Sequence, residues 1–122
     1  MARPASPPPA ESYCPDDGDL VWLGFDPQKG SEQRGHRPAL VLSPVQYNRR
    51  VGLCVVCPVT SEIKGYPFEQ PVPAGAGVVG AVLCDQVKSL SWRERGCAFI
   101  ARAPEDLTLH VKAKIRALLR LP

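Results

Sequence analysis

The chain reads as mainly β with one helix: a strongly bent antiparallel sheet or barrel carrying an amphipathic helix at its C-terminal end. Three observations predict this. Short runs rich in Val, Leu, Phe and Trp recur from Asp19 to Ala101, each bounded by Gly, Pro, Asp or Ser. None of these runs is long enough for an ordinary helix. Only residues 104–120 carry apolar residues at helical spacing.

Residues 1–15 (MARPASPPPAESYCP) predict a disordered, proline-rich tail, because proline donates nothing to a ladder and the stretch has little to bury. Residues 16–122 then form a single domain, as a core typically needs about 100–150 residues. Asp19–Phe25 is the first strand, entered through the Asp-Asp-Gly turn at 16–18. Residues 26–36 (DPQKGSEQRGH) have no aliphatic side chain and read as a long exposed loop, the place where small scaffolds tend to keep their function. Arg37–Ser43 and Val51–Cys57 are continuous apolar runs, as expected of strands covered on both faces. Residues 58–66 are a second polar loop. Pro67–Val72 is an edge strand because of its prolines. Ala81–Asp85 and Cys97–Ala101 are further short strands. The last helix has Pro104 at its first position and Glu105 and Asp106 at the positive end of its dipole. Lys112, Lys114, Arg116 and Arg120 load the other end, and Leu107, Val111, Ile115 and Leu118 make one apolar face.

The net charge of +3 permits a polyanionic partner without demanding one. Its distribution says more. Lys29, Arg34, His36, Arg37, Arg49, Arg50 and Lys64 all fall near predicted loops of the first half. Trp22 reads as core and Trp92 as core or interface packing. The five cysteines read as reduced, largely buried thiols, since the number is odd and no secretory signal precedes them. No run approaches the ~20 apolar residues of a membrane span, so a cytoplasmic protein is expected.

Several chemistries are excluded. Cys54 and Cys57 lie within a predicted strand, where residues three apart point to opposite faces and sit roughly 10 Å from each other. That rules out a disulfide between them, and neither His36 nor His110 completes a zinc set. No phosphate-binding glycine loop precedes a helix, and Ser43 and Ser61 lack a nucleophile elbow. No metal or cofactor is expected.

A polar set beside the two loops remains: Asp26, Lys29, Glu32, Gln33, His36 and Arg37, then Thr60, Ser61 and Lys64. A solvated loop surface would also explain it, but two details point further. Arg37 opens an apolar strand, where neighbours can hold its guanidinium rigidly. Thr60 and Ser61 place two hydroxyls at the end of another. A forked cation with hydroxyl donors suits a phosphodiester.

These residues stand in a recognisable frame. Residues 17–22 (DGDLVW), 25–43 (FDPQKGSEQRGHRPALVLS), 64–69 (KGYPFE), 85–89 (DQVKS) and 91–96 (SWRERG), with the Pro-Glu-Asp-Leu helix start, resemble the MazF/PemK toxins over about residues 15–120. The resemblance implies an SH3-like barrel with a C-terminal helix, usually a homodimer, that cuts single-stranded RNA at short sequences. It implies Arg37 and Thr60 as the catalytic pair. The groove would be lined by the loop of Asp26, Lys29, Glu32, Gln33 and His36, by Ser61 and Lys64, and by Gln86 and Lys88 of the Asp85–Lys88 strip. It also implies a cognate acidic antitoxin of the MazE kind and no membrane association.

The family reaction is metal-independent: the ribose 2′-OH attacks its own phosphate, leaving a 2′,3′-cyclic phosphate and a 5′-OH end. Arginine stays protonated and is a poor base, which leaves Glu32 and His36 both open for that role. The competing expectation is a non-catalytic gyrase inhibitor of the CcdB kind. That family ends its last helix in Trp-Gly-Ile, where this chain has Leu119-Arg-Leu-Pro122. A plain RNA-binding SH3-like module is the third reading.

Overall fold

The computed structural model describes residues 13–25 and 35–122. Its elements are β1 (Asp19–Gly24), β2 (His36–Val41), helix α1 (Val45–Val51), β3 (Leu53–Thr60), β4 (Glu69–Pro71), β5 (Ala81–Leu83), β6 (Lys88–Ser91), β7 (Ala98–Arg102) and helix α2 (Glu105–Leu119). The strands pair antiparallel in the order β4-β5-β3-β2-β1-β7, and β6 also joins β3. Among the described residues β4 and β7 do not pair with each other. The sheet is bent and open rather than a closed barrel.

β3 organises the bend. Opposite β2, its first half pairs with β6 from Leu53 to Val56, and its end pairs with β5 at Val59 and Thr60. Pro58 falls between these two stretches, so a buried proline is tolerated in a central strand. The strand therefore continues three residues into the predicted polar loop.

Alternation along the strands builds two cores. Leu20, Leu40, Cys57, Val59, Val82 and Cys84 face α2, which contributes Leu107 and Val111 with Ile115 packed alongside. Val21, Leu23, Ala39, Val41, Cys54 and Val56 face the other way, under Trp92. Covering both faces is why the strands read as unbroken apolar runs. Cys54 and Cys57 fall into different clusters and are free, as strand geometry requires. Leu118 departs from its predicted place and is exposed, because only the first turns of α2 overlie the sheet.

α1 and β6 carry no strong sequence signal. α1 has seven residues, Pro44 before it and no side-chain cap. Asn48, fully buried, holds it in place. Its amide donates to the Pro15 carbonyl at 2.8 Å and the Ser43 carbonyl at 2.9 Å. Its side-chain oxygen accepts from Ser43 at 2.6 Å, and its backbone carbonyl accepts the Trp92 indole N–H at 2.9 Å. Trp92 is thus a core residue, as expected. Pro15 is fully buried and Tyr13 and Cys14 pack on the second cluster, so packed chain begins at the last residues assigned to the tail. No helix of the described residues is long and apolar enough to cross a membrane.

Candidate active site

The β2–β3 ladder pairs Val41 with Val56, Leu40 with Cys57 and Ala39 with Pro58. Beyond that ladder, Arg37 lies near the start of β2 and Thr60 at the end of β3. Both line one open groove of about 590 Å³ with Trp22, His36, Pro38, Val59, Ser61, Glu62 and Val79. The sequence reading placed Trp22 in the core. It is 45% exposed instead, because β1 sets it opposite Pro38 on the groove wall, beyond the reach of α2.

Local structure shapes the two central side chains. The Thr60 hydroxyl oxygen accepts the backbone N–H of Glu62 at 3.0 Å, a turn that leaves the hydroxyl proton to donate outward. Arg37 is exposed, and its guanidinium carbon stands 5.9 Å from the centre of the Phe25 ring. The Lys88 ammonium reaches the same ring at 5.6 Å. Phe25 therefore gathers two cations from separate strands through the negative face of its π-system. Arg95 fixes that end of β1 by donating to the carbonyls of Gly24 at 3.1 Å and Phe25 at 3.2 Å. Phe25 and Arg95 were missed in sequence because an aromatic at a strand end reads as core and an arginine in a turn reads as solvated.

His36 pairs with Gly24, and its ring covers the turn after β6: a Cβ at Gly96 would lie 3.1 Å from Nε2. Ser61 lines the groove, whereas Lys64 and Gln86 do not. Both are exposed on neighbouring loops. The Lys64 loop is nonetheless shaped. The buried Glu69 carboxylate accepts the N–H groups of Lys64 at 3.0 Å and Gly65 at 2.7 Å. Lys114 of α2 donates to the Pro67 carbonyl at 2.8 Å. The Tyr66 hydroxyl donates to Asp85 at 2.8 Å, and that bond, with burial, pushes it up to about 12. Asp26, Lys29, Glu32 and Gln33 lie outside the described residues. Among the described residues no group of three His, Cys, Asp or Glu side chains is placed to hold a metal ion.

The groove thus holds a guanidinium and a hydroxyl donor, and the Arg37 guanidinium shares the Phe25 ring with Lys88 just outside the groove lining, a surface suited to an anionic polymer. The chain belongs to the PemK-like, MazF-like toxins of type II toxin–antitoxin systems, whose family model matches residues 16–119. It is 55% identical over 108 residues to the endoribonuclease toxin MazF of Escherichia coli, covering 88% of this chain and 96% of that one. The crystal structure of MazF from Deinococcus radiodurans superposes with a TM-score of 0.83 at 54% identity, over 90% of this chain and all of that one. A MazE–MazF crystal structure from the same organism gives 0.82 at 49% identity, over 91% of this chain and all of the matched chain.

Proposed function

We infer that this chain is an endoribonuclease, the toxin of a toxin–antitoxin pair, and that Arg37 and Thr60 carry its chemistry. One observation supports the assignment above the others: Arg37, near the start of β2, and Thr60, at the end of β3, line the same open groove. The relatives at this level of identity are endoribonucleases, which sets the gyrase-inhibitor reading aside.

The reaction places its nucleophile on the substrate. The 2′-oxygen bonds to the adjacent phosphorus and the P–O5′ bond breaks. This leaves a 2′,3′-cyclic phosphate and a 5′-OH end. Two protons move, one from the 2′-OH to a base and one to the departing O5′. His36, which lines the groove, and Glu32 are the two candidates for the base. Arg37 stabilises the charge that grows on the phosphorane oxygens, and its fork geometry matches two of them. Thr60 donates a hydrogen bond from its hydroxyl to one of the same two non-bridging oxygens. Ser61, next to Thr60 in the groove lining, and Lys64, Gln86 and Lys88 on exposed segments nearby are assigned to RNA binding. Asp26, Lys29 and Gln33, outside the described residues, are assigned to RNA binding from the sequence.

We propose a cytoplasmic homodimer whose cognate antitoxin has an acidic segment that lies along the groove and competes with RNA. The MazE–MazF complex in D. radiodurans supports such a partner. The test uses a mixed-sequence RNA with mapped ends. Arg37→Ala should lower cleavage by orders of magnitude with folding intact, and Thr60→Ala should do so less severely. Excess chelator should change nothing, and a single 2′-deoxy sugar at the cut should abolish cleavage. Near-normal cutting by folded Arg37→Ala would falsify the assignment.

A further inference from the structure

Three arginines on the far side of the turn that follows β6 take no part in the groove, yet they are arranged as a surface. Arg49 and Arg50 are exposed in the last turn of α1. Arg93 lies flat on the buried Trp92, its guanidinium carbon 4.7 Å from the ring centre, and donates to the Arg49 carbonyl at 3.3 Å. Trp92 is itself pinned by its bond to Asn48. Arg93 is therefore held in place before any ligand arrives, while most of its five donors stay open.

Their charges are not answered locally. The ion pairs of the described residues join Arg102 to Asp16 and Asp19 and Lys112 to Asp17, all where β1 begins against β7 and α2. No carboxylate of the described residues lies within ion-pair distance of Arg49, Arg50 or Arg93. The negative end of α1 favours two cations there, but that uses helix carbonyls and leaves most guanidinium donors free.

The turn links this surface to the groove. Arg95, two residues after Arg93, holds the Phe25 backbone, and Phe25 meets both Arg37 and Lys88. Arg93 and Arg95 thus leave one turn in two directions, Arg95 towards the Phe25 end of β1 and Arg93 towards α1, so the same turn borders both surfaces. We propose that Arg49, Arg50 and Arg93 form a phosphate-binding subsite for the part of the RNA strand that flanks the cut. This rests on the reading of the chain as an RNA-cleaving toxin. The subsite contributes affinity for longer strands without base preference, because its contacts go to the backbone.

The experiment compares wild type with Arg49→Gln/Arg50→Gln, whose side chains are exposed, and separately with Arg93→Gln. Binding of labelled, uncleavable 2′-deoxy-substituted RNA is followed by anisotropy for a tetranucleotide and for a strand of about twelve nucleotides. Thermal unfolding checks each variant. The double variant should weaken binding of the long strand about tenfold, flatten its salt dependence by one to two phosphate equivalents, and leave the tetranucleotide unchanged. Cleavage of the long substrate should lose KM and keep kcat. Equal loss for both lengths, an unchanged salt slope, or weaker antitoxin binding with normal RNA binding would each overturn the subsite. If wild type binds long RNA through these arginines but cuts none, the catalytic reading fails and the subsite stands.

Discussion

A Cβ on Gly80 would sit 2.0 Å from the carbonyl oxygen of Thr60. The backbone entering β5 thus runs directly against the residue proposed to donate to the phosphate, at a φ of +133°. Gly80→Ala must push Thr60 or its own strand aside. It should cost about 3 kcal/mol of stability, and cleavage should fall even at temperatures where the protein stays folded. Urea unfolding with a parallel RNA-cleavage assay checks both parts. A variant of normal stability and activity would mean that the two backbones part freely.

Phe25 acts through its neighbours and is a positioning residue. Phe25→Leu keeps the apolar bulk but removes the π-face that meets Arg37 and Lys88, worth about 0.5–1 kcal/mol for each exposed cation. We expect kcat/KM for RNA to drop roughly five- to tenfold, with recovery in Phe25→Tyr. If leucine served as well as tyrosine, the ring would matter only for packing.

Asn48 makes four hydrogen bonds to three residues, Pro15, Ser43 and Trp92, from a fully buried position. Asn48→Ala keeps the backbone bond to Trp92 but leaves the Ser43 hydroxyl and the Pro15 and Ser43 carbonyls without their side-chain partner. The loss should be about 3 kcal/mol, and the Tyr13–Pro15 segment should open to hydrogen exchange before the sheet does. Exchange that stayed uniform across the molecule would contradict this order.

Burial pushes the Cys54 and Cys57 thiols up to about 12. In the unfolded chain they ionise near 9.0, so above that pH the unfolded state holds fewer protons than the folded one. Stability from these groups is complete below pH 9 and declines as pH rises towards 12. Urea midpoints across this range, compared with Cys54→Ala, should show a shallower alkaline decline in the variant. An identical slope would show that the thiols do not drive it.

Much of the fold was legible because burial on two faces leaves a plain trace. The runs at Leu20–Leu23, Ala39–Val41 and Cys54–Cys57 are strands for the reason that made them readable, and α2 announced itself through its charged ends. α1 and β6 were not legible. Val45–Val51 is a helix because Asn48 finds partners distant in sequence, and Lys88–Ser91 is a strand because β3 offers it an edge. Neither cause is local. The site divides in the same way. Arg37, Thr60 and Lys88 could be named from residue type and resemblance, but that Arg37 and Lys88 share the Phe25 ring depends on how separate strands come together. Trp22 was misplaced because a tryptophan in an apolar strand reads as core, and only the extent of α2 decides that it is not.

The separation of charge has a kinetic meaning. Asp16, Asp17 and Asp19 gather at the start of β1, with Glu105 and Asp106 in the first turn of α2, while Arg37 and Lys88 meet at Phe25 and Arg49, Arg50 and Arg93 gather at the end of α1. Such a molecule feels a torque as it drifts towards a polyanion, and it turns its cationic side forward before the surfaces touch. Encounters then arrive already aimed, and the same rotation serves whichever anionic chain comes first. Added salt shortens the range over which that field is felt, from about 10 Å at 0.1 M to about 3 Å at 1 M, so crowded ions would slow capture by blinding the approach as well as weaken the grip on phosphates.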